Sequence, residues 1–360
     1  MEKTVLYITC SESTKYGAGE HFFLETARQC RQLGYKTVVQ YQDRPRSSAY
    51  LQDLRDLDVD VVTVSLKLNP LKILKLIFNA KPEIIHANFA NSVLLFEIAI
   101  IARLLRVKKL IDTEHCISSP IIRKYVLGLY NNVICVSNEI RNMMSYSRAK
   151  GSNLSTLYLG AFVAFADSAQ LRNKFRGEFR ISAQDKVLAC IAFDAPVKGL
   201  DILLKSFQKV CGDCPDVRLI IIGVDPEASQ LPALARDLGI AHRVHWAGIR
   251  DEGWKVLTAA DVYVQSSRSE GGPIAVMEAM ALKLPIVATR LGAGGELLAD
   301  GEAGVLCTAG DVDGLTKAIR DMLKQPEAWK RMGEAGYRRY MEMLQGEKVA
   351  ETLVHDYYLA

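Results

Sequence analysis

What most limits the folds open to this chain is an alternation. Short runs of β-branched and apolar residues take turns with stretches whose apolar residues recur at helical spacing. TVLYIT (4–9), KTVVQY (36–41), DVVTVSL (60–66), EIIHAN (83–88), KKLIDTEH (108–115) and YNNVICVS (130–137) read as strands. HFFLETARQCRQLG (21–34), PLKILKLIFNA (70–80) and SVLLFEIAIIARLLR (92–106) read as helices, with Gly17 to Glu20 a glycine-containing loop before the first of them. Strand–helix alternation requires crossover connections, which make the strands parallel and lay helices over the sheet. A second series follows: strands at 186–193, 217–223, 243–248, 261–267 and 284–289, and helices at 201–211 and 274–283. The expected fold class is therefore α/β, with two Rossmann-like domains. The polar stretch Asp167 to Arg180 has little strand character and is the expected linker. The expected domains are 1–165 and 166–345, with a terminal amphipathic helix, 346–360, returning to the first.

Composition narrows the setting. The chain has 360 residues, 49% apolar and 24% charged, enough to bury two cores without staples. Its longest apolar run, Ser92 to Leu105, contains Glu97 and Arg103 and falls short of the roughly 18 apolar residues that span a bilayer. MEKTVLYITC is too short an apolar start for a signal peptide. These readings lead us to expect a cytoplasmic chain. Six of eight cysteines (Cys10, Cys30, Cys116, Cys135, Cys190, Cys307) are scattered, as buried thiols are. Cys211 and Cys214 have CxxC spacing without a second pair, and a helix end running into a turn explains them better than zinc. Net charge is uneven: residues 1–165 carry +7 and the remainder −3. The basic half suits an anionic partner or surface, or is simply solvated.

The segment with the most chemical content is SSRSEGGPIAVMEAMALKLPIVAT, Ser266 to Thr289. A strand ends in polar residues, Glu270, Gly271, Gly272 and Pro273 turn the chain, and a helix starts near Ile274. Unpaired N–H groups and a helix dipole then meet at a strand's carboxyl end, a place suited to phosphate. Glycines there let a ligand approach the backbone. Glu278, eight residues after Glu270, offers a bidentate acceptor for a sugar hydroxyl. Each glutamate taken alone reads as an ordinary helix acid; the whole string is far more specific.

That string resembles the retaining, GT-B-fold glycosyltransferases of family 4, the glycosyl transferases group 1 set. The resemblance implies two Rossmann-like domains with parallel sheets facing a central cleft. It implies that Glu278 binds the donor ribose, that Glu270 contacts the donor sugar, and that the amides of Gly271, Gly272, Pro273 and Ile274 lie near sugar and diphosphate. GAGGELLADGEAGVLCTAGD (292–311) resembles the family's glycine-rich loop, making Gly294, Gly295 and Glu296 phosphate-side and ribose-side neighbours. Lys198-Gly199 resembles a Lys-Gly pair whose cation neutralises the departing diphosphate. The family's Arg five residues earlier is replaced here by Phe193, and Lys186 and Arg268 are candidate substitutes. Gly17-Ala18-Gly19-Glu20 resembles the family's glycine loop, with Gly17 and Gly19 on the donor side and Glu20 an acceptor-side candidate. His115 resembles the histidine that faces the donor sugar, and His86 another strand-end histidine on the acceptor side.

The function implied is transfer of a hexose-type sugar from a nucleoside-diphosphate sugar, with retention, to a glycan, lipid-linked or small-molecule acceptor. Glu270, Lys198 and His115 are its catalytic candidates. No cofactor or divalent metal is expected; Asp56 and Asp58 precede a strand instead of following one. PLKILKLIFNAK (70–81) and RLLRVKK (103–109) combine apolar and basic residues, which suits an anionic membrane surface and a peripheral location, or else core-facing helices with solvated charges. The rivals are a nucleotide-sugar epimerase or hydrolase on the same scaffold and a non-catalytic sugar-nucleotide binder. A dehydrogenase is disfavoured because no G-x-G-x-x-G follows the first strand. Nucleic acid is disfavoured because no aromatic platform interleaves the basic residues.

Overall fold

The computed structural model describes residues 3–9, 13, 16–66, 69–115, 120–145, 153–164 and 168–359. Cys10, Cys116, Asp167 and the expected boundary at 165/166 lie outside them. The chain divides into two compact units, 1–160 with 346–360 and 161–345.

The first unit runs β1 (Lys3–Thr9), α1 (Ala18–Gln32), β2 (Tyr35–Tyr41), α2 (Ser48–Asp56), β3 (Asp60–Thr63), α3 (Pro70–Ala80), β4 (Ile84–Asn88), α4 (Ser92–Leu104), β5 (Lys109–Glu114), α5 (Pro120–Leu127), β6 (Asn132–Cys135), α6 (Asn138–Ser145) and β7 (Asn153–Thr156). Its sheet is all parallel, ordered β3-β2-β1-β4-β5-β6-β7. The order reverses between β1 and β4, where such sheets display functional groups at their carboxyl ends. Pairing there sets Tyr7 beside His86, and His86 beside Ile111. The helices start where side chains supply acceptors for orphan N–H groups: Asn69 for Lys72 at 3.2 Å, with Pro70 in the first turn, and Asn91 for Leu94 at 3.0 Å. Two readings are corrected. Helix α1 begins at Ala18, so the glycine loop is partly its first turn. The strands do not close with β6, because 153–156 form a seventh, β7.

The second unit comprises α7 (Ser168–Glu178), β8 (Lys186–Ile191), α8 (Leu200–Asp213), β9 (Val217–Ile222), α9 (Leu231–Asp237), β10 (Val244–Gly248), α10 (Trp254–Leu257), β11 (Val262–Gln265), α11 (Ile274–Ala281), β12 (Ile286–Thr289), α12 (Ala293–Leu297), β13 (Gly304–Cys307), α13 (Val312–Lys324) and α14 (Pro326–Met343). Its parallel sheet is ordered β10-β9-β8-β11-β12-β13, reversing between β8 and β11. The expected linker is α7, and it is anchored. Arg172 donates to the Thr258 and Ala260 carbonyls at 3.1 and 2.7 Å, and both Arg172 and Arg176 pair with Asp261, at 2.6 and 2.9 Å. Composition alone misread this segment because its arginines serve a tertiary contact. Cys211 and Cys214 end α8 as free thiols.

The chain then returns to the first unit through α15 (Gly346–Thr352), which continues as a π-helix, Leu353–Leu359. Leu353, Val354 and Tyr358 are buried against Val5, Cys30, Ile84, Ile111 and Ile134. Among the described residues, no helix is long and apolar enough to cross a membrane.

Candidate functional site

In the second unit the ends of β8, β11 and β12 bring three loops together. After β8 the chain makes a 3-10 turn, Pro196–Lys198, and Gly199 takes a left-handed φ of 62°. A Cβ at 199 would overlap the Ser266 carbonyl, so glycine is required for this approach. Ser266 Oγ donates to the Lys198 carbonyl at 3.1 Å, and Arg268 N donates to Val197 O at 2.7 Å. These bonds hold the lysine loop against the β11 terminus.

Lys198 Nζ lies 2.6 Å from Glu270 Oε1. Ser267 Oγ donates to the same oxygen at 2.7 Å and Gln265 Nε2 at 3.3 Å. Both members of the pair are largely sequestered, at 20% and 10% side-chain exposure, so the attraction is screened less than a surface pair's. Beside them Tyr263, in β11, is fully buried. Burial first, then Cys190, Glu270 and Glu278, push its pKa well above the usual phenol range.

Gly271, Gly272 and Pro273 carry the chain from Glu270 into α11, whose first residue is Ile274. The leading N–H groups of a helix have no acceptor within it. Gly292 packs onto this turn with φ 53°, where a Cβ would overlap the Glu270 carbonyl, and Ala293 N donates to Gly271 O at 3.0 Å. Gly294 and Gly295 sit in the short helix α12 that follows. Glu278 is buried in the second turn of α11. The structure thus brings Lys198, Glu270, Gly271, Gly272, Pro273, Ile274, Gly294 and Gly295 into one set of adjoining loops, with Glu278 on the helix they feed. Sequence reading missed Ser267, Gln265, Tyr263 and Gly292. The serines and glutamine just before Glu270 were the available signal.

The two substitutes for the missing arginine fail on geometry. Lys186 opens β8, at the opposite end of the strand, and donates to Leu323 O at 3.2 Å. Arg268 is taken by Asp201 in a bidentate pair, both contacts 2.8 Å, and by Pro196 O. Instead, exposed Phe193 places its ring 5.2 Å from Lys198 Nζ, a cation–π contact.

In the first unit Gly17 caps α1, Glu20 accepts from Gly17 N at 3.1 Å and Ser13 Oγ donates to Glu20 at 2.9 Å. Glu20 therefore works as a capping acid. Gly19 has open space around it. His86 is buried with both ring nitrogens engaged, Nδ1 to Tyr358 Oη at 2.6 Å and Nε2 to Thr113 Oγ1 at 2.7 Å. No nitrogen remains for an acceptor, and burial lowers its pKa to about 3, with His115 adding to the effect. His115 is only partly buried: Nε2 meets Asn88 Oδ1, Phe89 stacks on its face at 3.9 Å, and burial lowers its pKa to about 3. Phe89 holds a φ of 57°, strained for an aromatic residue, at the carboxyl end of β4. Of the two histidines, His115 is the one presented at the sheet's end.

Comparison with known proteins places this geometry. Residues 172–339 match the model for glycosyl transferases group 1. N-acetyl-alpha-D-glucosaminyl L-malate synthase of Bacillus anthracis is 30% identical over 53% of this chain and 49% of its own. The chain spans about half the length of the curated relatives it matches. A glycosyltransferase from Rickettsia africae superimposes with a TM-score of 0.84 at 15% identity, covering 99% of this chain and 98% of that one. Anabaena HepE in complex with UDP and glucose does so at 0.80 and 19%, covering 98% of each. Residues 172–339 thus resemble the glycosyl transferases group 1 family, and the two parallel-sheet units have the GT-B fold of those solved glycosyltransferases.

Proposed function

We propose that this protein transfers a hexose-type sugar from a nucleoside-diphosphate sugar to a hydroxyl of a glycan, lipid-linked or small-molecule acceptor, in cell-surface polysaccharide or glycoconjugate synthesis. The second unit holds the donor and the first serves the acceptor. The observation that carries the reading is the Lys198–Glu270 pair beside the α11 start, a turn kept narrow by Gly292. The backbone N–H groups of Gly271, Gly272 and Ile274 meet the diphosphate, with Pro273 shaping the turn between them; Gly294 and Gly295 border it, Glu278 holds the ribose and Glu270 a sugar hydroxyl. His115 is the group of the first unit assigned to the sugar.

The reaction is written with retention and without a protein nucleophile. The bond from the anomeric carbon to the phosphate oxygen breaks, the acceptor oxygen bonds on the same face, and its proton passes to the departing diphosphate. Lys198 stabilises that developing charge, and positioning supplies the rest. No divalent metal is assigned, because a lysine cation and helix amides meet the charge.

The test is a melt with UDP, GDP, ADP and dTDP and their sugars. All three tryptophans (Trp246, Trp254, Trp329) lie in the second unit, so their fluorescence follows donor binding there. At a hundredfold excess over Kd, one matching nucleotide stabilises by about 2.7 kcal/mol. Lys198→Ala should lower kcat about 100- to 1,000-fold in a chain whose second unit still melts cooperatively by tryptophan fluorescence. No shift with any nucleotide, or an active Lys198→Ala enzyme, sinks the reading.

A further inference from the structure

Helices α3 and α4 of the first unit leave a continuous apolar surface that the transfer reaction does not use. Helix α3 buries Ile73, Leu76 and Ile77 on the sheet yet exposes Leu71 at 74%, Phe78 at 61% and, beside them, Leu74. Helix α4 is apolar nearly all round and exposes Val93, Phe96, Ile100 and Leu104, the last at 75%. Such a helix is normally covered on every side.

The two stripes adjoin. On α3, Lys72, Lys75 and Asn79 line a cavity of about 590 Å³ with β3, so they mark the β3 flank. At 3.6 residues per turn, Leu71, Leu74 and Phe78 then turn outward and toward α4. On α4, Arg103 donates to Leu129 O just beyond α5, which marks the α5 flank. Val93 and Leu104 therefore lean toward α3, with Phe96 and Ile100 outward between. The result is one apolar face bracketed by Lys72 and Lys75 on one side and Arg103 on the other.

Charge selects the occupant. Residues 60–112 contain eight Lys and Arg and four acids, Asp60, Glu83, Glu97 and Asp112; Asp60 is paired with Lys36 and Glu83 with Lys108, both at 2.8 Å, and Asp112 is buried. A second copy docked through this face would set the same cations against each other. An anionic bilayer neutralises them while its acyl region takes the apolar side chains, and the lysine stems can lie along the boundary. We propose that the α3–α4 face seats the protein on an anionic phospholipid surface, with Leu71, Phe78, Phe96 and Leu104 at the acyl boundary and Lys72 and Lys75 at the phosphates.

The test uses the full chain without nucleotide sugar, so its result is independent of the transfer reading. Sedimentation with phosphatidylcholine vesicles containing phosphatidylglycerol should exceed that with phosphatidylcholine alone by at least ~10-fold and fall with salt. Lys72→Glu and Lys75→Glu should each weaken it about fivefold or more. Phe78→Glu with Phe96→Glu should remove it. Phe96→Trp, which keeps the face apolar, should show a blue-shifted emission only with the anionic vesicles, whether or not the charged variants fold. Equal binding to neutral vesicles, an unshifted Phe96→Trp, or a self-associating chain that ignores vesicles and becomes monomeric on Phe96→Glu would each overturn the proposal.

Discussion

The two units share a parallel doubly wound plan and differ in what they place where the strand order reverses. The second unit displays charge: a sequestered Lys198–Glu270 pair, held by glycines that only fit because a Cβ would strike a carbonyl. The first unit suppresses charge. His86 and His115 are kept neutral by burial, and Asp112, fully buried on β5, has both oxygens without a hydrogen-bond partner. Arg123 bonds Glu114 instead and stands 3.8 Å from Asp112 through Nη2. Burial, reinforced by Glu114, raises the pKa of Asp112 well above the carboxylate range. The second sheet sets a paired cation and carboxylate at its reversal, and the first sets two neutral histidines near a buried Arg123–Glu114 pair.

The contrast extends to stability, and the largest expected effect tests it. The first unit is closed by chain that follows the second. Removing 346–360 takes Leu353, Val354 and Tyr358 off its sheet and leaves His86 Nδ1 unbonded. Burial of each large apolar side chain contributes about 1.5–3 kcal/mol, so the loss reaches about 5 kcal/mol, comparable to a domain's whole stability. Hydrogen exchange in β1, β4 and β5 should lose protection while the tryptophan melt of the second unit persists. A truncated chain with protected β4 would break the comparison.

The sequence made the periodic parts plain. Of the first unit's seven strands, six were legible because alternation and turn residues mark them, and so were the long helices α1, α3 and α4. Strand β7 was not, since NLST is too short and polar to differ from a loop. Helix α7 was hidden because Arg172 and Arg176 look solvated until Asp261 is brought to them by the fold. At the site the same division holds. Local strings around Lys198 and Glu270–Glu278 were readable, whereas the packing of Gly292 on the Glu270 turn joins residues separate in sequence. The protein partners of Glu20 and His86 were illegible for a related reason: a polar side chain at a strand or helix end looks alike whether its partners are protein or substrate.

The suppression of charge sets a pH signature. A histidine whose folded pKa is depressed to about 3 contributes stability that is present above its unfolded value near 6.5 and lost as pH falls. Asp112 acts in the opposite sense, because its raised pKa favours the fold below the unfolded value and loses that gain as pH rises. Between about pH 4 and 6.5 the unfolded first unit binds two histidine protons more and one aspartyl proton fewer. Its stability should therefore rise with pH through this range, by up to about 1.4 kcal/mol per pH unit where Asp112 offsets one of the two histidines, and less as His115 is only partly buried. Exchange rates in β4 and β5 measured across pH should show that rise, and Asp112→Asn should steepen it. In the second unit the partial burial of His245 lowers its pKa less strongly than burial lowers that of His86, so the tryptophan melt there should vary more gently. Equal profiles in both units would erase the distinction drawn here.

The smallest effect bears on Phe193, where the resemblance leads one to expect an arginine. Phe193 stands where a second cation is expected, and its ring lies 5.2 Å from Lys198 Nζ. An exposed aromatic cannot neutralise a diphosphate, but its face can hold a single lysine on station at a cation–π worth of about 0.5–1 kcal/mol. Phe193→Ala should then lower kcat about two- to fivefold, with donor affinity changed little, because the ammonium wanders while the amides of the Glu270 turn remain. Phe193→Arg makes the opposing case. If leaving-group charge limits the rate, the added guanidinium raises kcat; if Lys198 and the helix amides already suffice, it raises donor affinity alone. Steady-state kinetics with both variants separate these outcomes, and a Phe193→Ala enzyme indistinguishable from the parent would show that Lys198 is held by Glu270 and the Gly199 turn without the ring.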